Sequence, residues 1–183
     1  MPEYEQLEDS RLAQLAREDH AAFEALYRRH VTAVYRYCYA RTNTQADAED
    51  VTAQTFLAAL EAIDRFRGRG AFLGWLFGIA RHKCADFHRS NRHYADVEME
   101  KVTYDRPSLS PRPEEAAGDA LMLDCVERML PQLSPDRQEA VQLRYYGGLE
   151  LEDVARAMER SLAAVKMLIS RGVADLRKRC TDG

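Results

Sequence analysis

The residues of this sequence best suited to chemistry are cations set beside aromatic and small side chains. The chemistry they suit is the holding of a polyanion. Arg65, Arg67, Arg69, Arg81, Lys83, Arg89 and Arg92 form one basic group, and Lys166, Arg171, Arg177, Lys178 and Arg179 form another. In the first group, Phe66-Arg67-Gly68-Arg69-Gly70 leads into Phe72, Trp75 and Phe77. Aromatic rings stack on unpaired bases at about 1–3 kcal/mol per base, while arginines hold the strand. Glycines in such a loop let another backbone come close. A plainer reading stays open, in which Phe66, Trp75 and Phe77 fill a core and the arginines solvate a loop. Trp75 and Ile79 are expected mainly in the core.

Asp47, Glu49 and Asp50 open a predicted helix, where the macrodipole favours carboxylates. They either cap and solvate that helix or offer a docking face to a basic partner. His82, Cys84, His88 and His93 suggest a metal only superficially. His82 and His88 are six residues apart, whereas partners at i, i+3 or i+4 share a helix face. With Arg81, Lys83, Arg89 and Arg92 they more simply extend a phosphate-facing helix, so no metal and no cofactor are expected. No phosphate-binding loop of the P-loop kind, no HExxH and no nucleophile elbow occurs, so an enzyme is not expected.

The elements that must position these groups read as helices. The chain has 183 residues and a net charge of −4. That average opposes nucleic-acid binding, but local sign steers a polyanion and the charge here is strongly patterned. No apolar run approaches the roughly 20 residues of a membrane span. The acidic start, Met1 to Ser10, resembles no signal or transit peptide, and the expected compartment is the cytosol. Cys38, Cys84, Cys125 and Cys180 lie far apart without CxxC spacing and are expected to be free thiols there.

Helical periodicity predicts elements over about Ser10–Glu18, Ala21–Arg41, Ala46–Arg65 and Phe72–Asn91. The second is expected to bury Phe23, Leu26, Tyr27, Val31, Val34, Tyr35 and Cys38. The third is expected to bury Val51, Phe56, Leu57, Leu60 and Ile63. Periodicity fails from Tyr94 to Gly118, an acidic stretch holding Pro107, Pro111 and Pro113. A loop of that length joins domains more readily than it fits inside one. Helices resume at about Asp119 and stop near Pro131. Ser134-Pro135 then offers an N-cap with proline at the first helical position, and Gly147-Gly148 ends that helix. The fold expected is all-α, with two small helical domains joined by a flexible linker.

Residues 149–176 have the layout of a helix-turn-helix. Val154, Ala155 and Met158 face a core from the first helix. Leu162, Val165, Ile169, Val173 and Leu176 do so from the second, which Ser161 caps. The opposite face carries Ala163, Ala164, Lys166, Met167, Ser170 and Arg171, and suits a major groove. A plain helical hairpin with a solvated basic face is the alternative.

Several motifs, in order, carry a resemblance. Ala22-Phe23 and Leu26-Tyr27, then Asp47-Ala48-Glu49-Asp50-Val51 and Gln54-Thr55-Phe56-Leu57, resemble region 2 of the extracytoplasmic-function (ECF) sigma factors of the bacterial sigma-70 family. So do Phe66-Arg67-Gly68, Phe72, Trp75-Leu76 and Ile79-Ala80-Arg81, down to Asp86 and Arg89. Leu133, Pro135, Arg137, Leu143-Arg144, Gly148-Leu149, Ala155, Val165-Lys166 and Arg171 resemble region 4. The likeness divides the chain into an N-terminal acidic segment with a first helix (1–20), region 2 (21–93), the linker (94–118) and region 4 (119–183).

The resemblance implies an RNA polymerase sigma factor, a promoter-recognition subunit. Asp47, Glu49, Asp50 and Gln54 would dock on the β′ clamp helices of core RNA polymerase. Phe66, Arg67, Gly68, Arg69, Phe72, Arg81, His82, Lys83, Arg89 and Arg92 would bind the −10 element as its strands part. Ser161, Ala163, Ala164, Lys166, Met167, Ser170 and Arg171 would read the −35 element as duplex, with region 4 also touching the β flap. The linker would thread toward the active-site cleft, and an anti-sigma protein is an implied partner. The chain departs from the family pattern at His82, which bears on the −10 sequence preference, and at Ala163-Ala164, Met167-Leu168 and Glu150, which leave the recognition face fewer donors than usual. The competing function is a helix-turn-helix regulator that acts without polymerase docking.

Overall fold

The computed structural model describes residues 2–42, 44–67, 72–95 and 125–181. The N-terminal domain holds α1 (Pro2–Glu5), α2 (Asp9–Leu15), α3 (His20–Thr42), α4 (Gln45–Ala62) with a following 3-10 turn (Ile63–Arg65), and α5 (Phe72–Ala95). The C-terminal domain holds helical residues 125–129 (α6), a 3-10 turn (Leu130–Gln132), α7 (Pro135–Tyr145), α8 (Leu151–Ala157) and α9 (Leu162–Thr181). No strand occurs among the described residues. The all-α, two-domain reading holds. Of the linker read over 94–118, residues 94 and 95 continue α5, which runs past the expected end at Asn91; the remainder lies outside the described residues.

Local chemistry sets the helix ends. Thr44 accepts a hydrogen bond from the Asp47 N–H at 3.1 Å, and its hydroxyl donates to the Asp47 carboxylate at 2.6 Å. One side chain thus satisfies an orphan donor at the start of α4 and is itself held by the next turn. Ser161 caps α9 as expected, accepting from the Ala164 N–H at 3.2 Å. Ser134 stands at the N-cap of α7 with Pro135 behind it, but its side chain makes no cap bond. Gly148 ends α7 with φ +70°, which a glycine adopts without a Cβ penalty. The Gly147 and Leu149 N–H groups then close on the carbonyls of Gln142 and Leu143.

In the N-terminal domain α3, α4 and α5 enclose Leu26, Val34, Tyr37, Val51, Phe56, Phe72, Leu76 and Phe77. Complete burial of such a side chain stabilises by about 1.5–3 kcal/mol. Two expectations for this core need correction. Tyr27 is 41% exposed and Leu57 is 58% exposed. Leu57 follows Phe56 directly, and adjacent helical positions point about 100° apart, so Phe56 takes the core and Leu57 the surface. Arg29 and His30 from α3 clamp the Asp9 carboxylate of α2 at 2.5 and 2.7 Å.

The helix-turn-helix core is largely as read: Val154 and Ala155 of α8, with Met158 at its C-cap, share one buried cluster with Val165 and Ile169 of α9, while Leu176 is buried in a separate cluster. Gly172 lets α9 approach α7, since an added Cβ would stand 2.9 Å from Val141 Cγ2.

The two domains do not stand apart. Their buried residues join in one apolar cluster running from Leu12 to Ile169, with α8 laid along α5 and α7 against the end of α3. Glycines permit the approach. A Cβ on Gly74 of α5 would meet Asp153 Oδ1 at 3.1 Å, and one on Gly147 would meet Phe77 Cε1 at 2.7 Å. Fully buried Gln142 of α7 donates to the Ala40 carbonyl at 3.0 Å and accepts from Arg41 at 3.1 Å. Part of the C-terminal domain keeps a separate small core of Leu130, Leu133, Val141 and Leu176.

The cysteine expectation is half right. Cys38 and Cys84 are free, fully buried thiols whose sulfurs lie 4.0 Å apart. Cys125 and Cys180 instead form a disulfide with Cα atoms 5.8 Å apart. The fold brings the start of α6 and the end of α9 together across 55 residues. In the chain-entropy account, closing a loop of that length stabilises by about 4 kcal/mol.

Candidate nucleic-acid and polymerase interfaces

Three surfaces collect the residues singled out by sequence. The first is the outer face of α4. Glu49, Asp50, Ala53, Gln54, Leu57 and Glu61 are all exposed there. Their spacings of three and four place them in one continuous stripe. Gln45 donates to Glu49 at 2.8 Å and Gln54 donates to Asp50 at 2.7 Å, so the carboxylates are held in place yet face outward. Asp47 is half-buried and serves the helix cap. Leu57 gives the acidic stripe an apolar centre. Nearby, Tyr27 lays its ring edge-on to Phe56 with centroids 4.8 Å apart. Sequence reasoning missed Leu57 as a surface residue. The signal was available: Leu57 lies three and four residues from Gln54 and Glu61, which no core would take unpaired.

The second surface is the end of the α4–α5 connection and the outer side of α5. Here the aromatic expectation is corrected. Phe66 is 5% exposed and Phe72 is 1% exposed. Phe66 packs edge-on to Phe72 at 5.6 Å and tilted on Trp75 at 5.3 Å, so the rings occupy each other instead of offering faces to a base. The carbonyl of Phe66 is also tied to Arg17 of the N-terminal segment at 2.5 Å. Arg67 is exposed; Gly68 and Arg69 lie outside the described residues. On α5 His82 and Arg89 are exposed and Lys83 half-buried, while nothing is described of the Arg92 side chain. Arg89 pairs with Asp86 one turn earlier.

Arg81 is different. Its Nε lies 3.3 Å from Glu139 Oε2 of α7, and Tyr37 donates its hydroxyl to Glu139 Oε1 at 3.1 Å. Glu139 is buried, and Tyr37 completely so. Burial, with the Glu139 charge beside it, pushes the Tyr37 phenol well above its ordinary pKa, so it remains a neutral donor. One member of the basic set on α5 is therefore occupied by a carboxylate from the other domain.

The third surface is α9. Ser161, Ala163, Lys166, Met167, Ser170 and Arg171 are exposed and Ala164 half-exposed, all on the side away from Val165, Ile169 and Leu176. The domain contact leaves this face open. Met167 is 51% exposed, which presents an apolar, deformable contact at its centre. The stripe holds two cations and two hydroxyls, enough for phosphate positioning with few base-edge donors.

A helical bundle with an exposed acidic stripe, joined to a helix-turn-helix whose polar face is open, has the architecture of a two-domain DNA-binding transcription protein. Comparison with known proteins makes that specific. Residues 26–94 match the model of sigma-70 region 2, and residues 123–176 match that of sigma-70 region 4. The chain is 37% identical over 166 residues to the ECF RNA polymerase sigma factor BldN of Streptomyces coelicolor, covering 88% of this chain and 61% of that protein. It is 30% identical over 175 residues to the RNA polymerase sigma factor NccH of Alcaligenes xylosoxydans xylosoxydans, covering 92% of each. Its fold matches that of CnrH, solved in complex with the cytosolic domain of CnrY, with a TM-score of 0.69 and 26% identity over 92% of this chain and 94% of that one. The chain belongs to the sigma-70 family, in its extracytoplasmic-function group.

Proposed function

We propose that this chain is a sigma factor that binds core RNA polymerase, recognises promoter DNA through its two domains, and helps part the strands. The observation that carries the reading is the presence in one chain of two open faces of opposite character. The acidic stripe of α4, with Leu57 at its centre, suits a basic protein helix, and the face of α9 suits a DNA duplex. A regulator acting alone has no use for the first. Glu49, Asp50, Gln54 and Leu57 meet the β′ clamp helices in this reading. Arg67, Arg81, His82, Lys83 and Arg89 follow the −10 strand, and Lys166, Ser170 and Arg171 hold the −35 duplex. The buried rings of Phe66 and Phe72 support the loop that meets the −10 strand rather than touching bases themselves. The chain works in the cytoplasm, beside the polymerase, and has no catalytic role of its own. CnrH was solved in complex with the cytosolic domain of CnrY. In this reading an anti-sigma protein, the partner implied by the family, covers the α4 stripe of this chain when transcription is not required.

Asp50→Arg and Leu57→Asp test the docking assignment. Both residues are exposed, so the fold survives. Each variant is expected to weaken binding to core polymerase by at least about 2 kcal/mol, roughly thirtyfold, as for a central interface residue. Undiminished binding in a titration of labelled chain with core polymerase removes the assignment.

A further inference from the structure

We propose that Cys125 and Cys180 are a reversible redox site, a staple that decides whether the C-terminal domain stays folded once it leaves the N-terminal one. The inference rests on the sigma reading for its compartment. Beside core polymerase in a reducing cytosol, a disulfide is seldom permanent and is more often redox-responsive.

The staple's position gives it leverage. Domains below about 70 residues are marginal on their own cores, and the region 4 match that defines this one spans residues 123–176. Its core is divided. Ala140, Leu143, Leu149 and the helix-turn-helix residues Val154, Val165 and Ile169 belong to the cluster shared with the N-terminal helices, and among the described residues Leu130, Leu133, Val141 and Leu176 form a second core apart from it. Val126 and Met129 of α6 and Val173 of α9 pack on that smaller core, and the disulfide closes it by joining α6 to the end of α9. In the docked arrangement the shared cluster supports the domain. Undocked, it loses the N-terminal side of that cluster and depends on the packing of α8 on α9, the small core and the staple. Access also fits. Cys125 and Cys180 are half-buried and open to a small thiol, whereas Cys38 and Cys84 are fully buried.

The chemistry is thiol–disulfide exchange with a low-molecular-weight disulfide. One cysteine thiolate attacks it and releases one small thiol. The second cysteine attacks the resulting mixed disulfide and releases another, so the protein loses two electrons and two protons and the oxidant gains them. Reduction by two small thiols is the reverse. Oxidation then yields a C-terminal domain able to undock intact and read duplex DNA. Reduction yields one that holds its fold best while docked.

Two measurements on the full-length chain decide it. The chain is equilibrated in glutathione buffers of graded poise, and the redox state of the pair is read by alkylation and mass spectrometry. Amide hydrogen exchange, with neither DNA nor polymerase present, is expected to be on the order of tenfold faster in α6 and α9 of the reduced chain, with α4 unchanged. Cys125→Ser is expected to match the reduced chain in every buffer. In run-off transcription with core polymerase, the oxidised chain is expected to outperform the reduced chain and Cys125→Ser on a promoter that needs the −35 element. Equal exchange in both redox states overturns the staple, as does a pair that stays reduced at the most oxidising poise. A chain that supports transcription in neither state, yet shows the exchange difference, refutes the sigma reading and keeps the staple.

Discussion

At the residue scale, the charged groups that hold this fold are those whose partners come from other helices. Asp9 is the clearest case. Burial raises its pKa, but the hydrogen bond and charge of His30, then those of Arg29, outweigh burial and hold the carboxyl below the ordinary value of 3.8. The unfolded chain therefore binds a proton at Asp9 more readily than the folded chain does. The stabilisation is complete above the ordinary carboxylate value and disappears as pH falls through the lowered one. Because the pair is partly exposed, solvent limits it to about 1 kcal/mol. Thermal melts from neutral pH down through the carboxylate range should show Asp9→Asn less stable near neutrality by a few degrees, with the difference vanishing in acid. None of this was legible in the sequence, since Asp9 and His30 are 21 residues apart and neither sits in a motif. Exposure was easier to read: Lys166, Ser170 and Arg171 lie on the outer face of α9, where a helix period of 3.6 puts them. The aromatic residues were harder, because Phe66 and Phe72 suit a base stack and a core equally by type. Only the packing of one ring on the other decides between them.

At the element scale, caps and glycines were readable where the chemistry is local. Ser161 and the Gly147-Gly148 stop act within a few residues of themselves, so the chain order contains the whole interaction. Ser134 shows the limit, since a residue of the right type at the right place makes no cap bond. The second role of Gly147 was not readable. It terminates α7, and it also leaves room for Phe77 of α5, a contact between domains. Gly147→Ala would place a Cβ 2.7 Å from Phe77 Cε1, 2.8 Å from the Leu143 carbonyl and 2.9 Å from Leu149 Cδ1. Backbone cannot yield as a side-chain tip can. The variant is expected to lose about 1–3 kcal/mol in denaturant titration. A loss near zero would mean that α7 and α5 do not approach as described.

At the scale of the whole molecule, the sequence indicated two domains and their connectivity but not their mutual packing. Periodicity reports that a helix has a buried face; it does not say which surface covers it. The covering here involves residues 102 positions apart, as in the Tyr37–Glu139 bond. The cysteine pairing was hidden for the same reason. Under the proposed function the closed arrangement has a consequence, because Glu139 pairs with Arg81, a residue proposed to follow the −10 strand. Glu139→Ala leaves the buried Tyr37 hydroxyl without its acceptor and the half-buried Arg81 without its carboxylate, a loss of about 1–3 kcal/mol that falls on the docked state alone. It should raise the radius of gyration in small-angle scattering and strengthen binding of single-stranded −10 DNA. A variant as compact as the parent would show that this contact does not hold the domains together.

The most direct measurement of the central claim is permanganate footprinting of promoter DNA with the chain alone, core polymerase alone, and both. The sigma account predicts reactive thymines around the −10 element only when chain and core polymerase are combined, with transcripts that start just downstream. Strong sequence-specific duplex binding by the chain alone, with no strand opening when polymerase is added, would contradict it and favour a self-sufficient helix-turn-helix regulator.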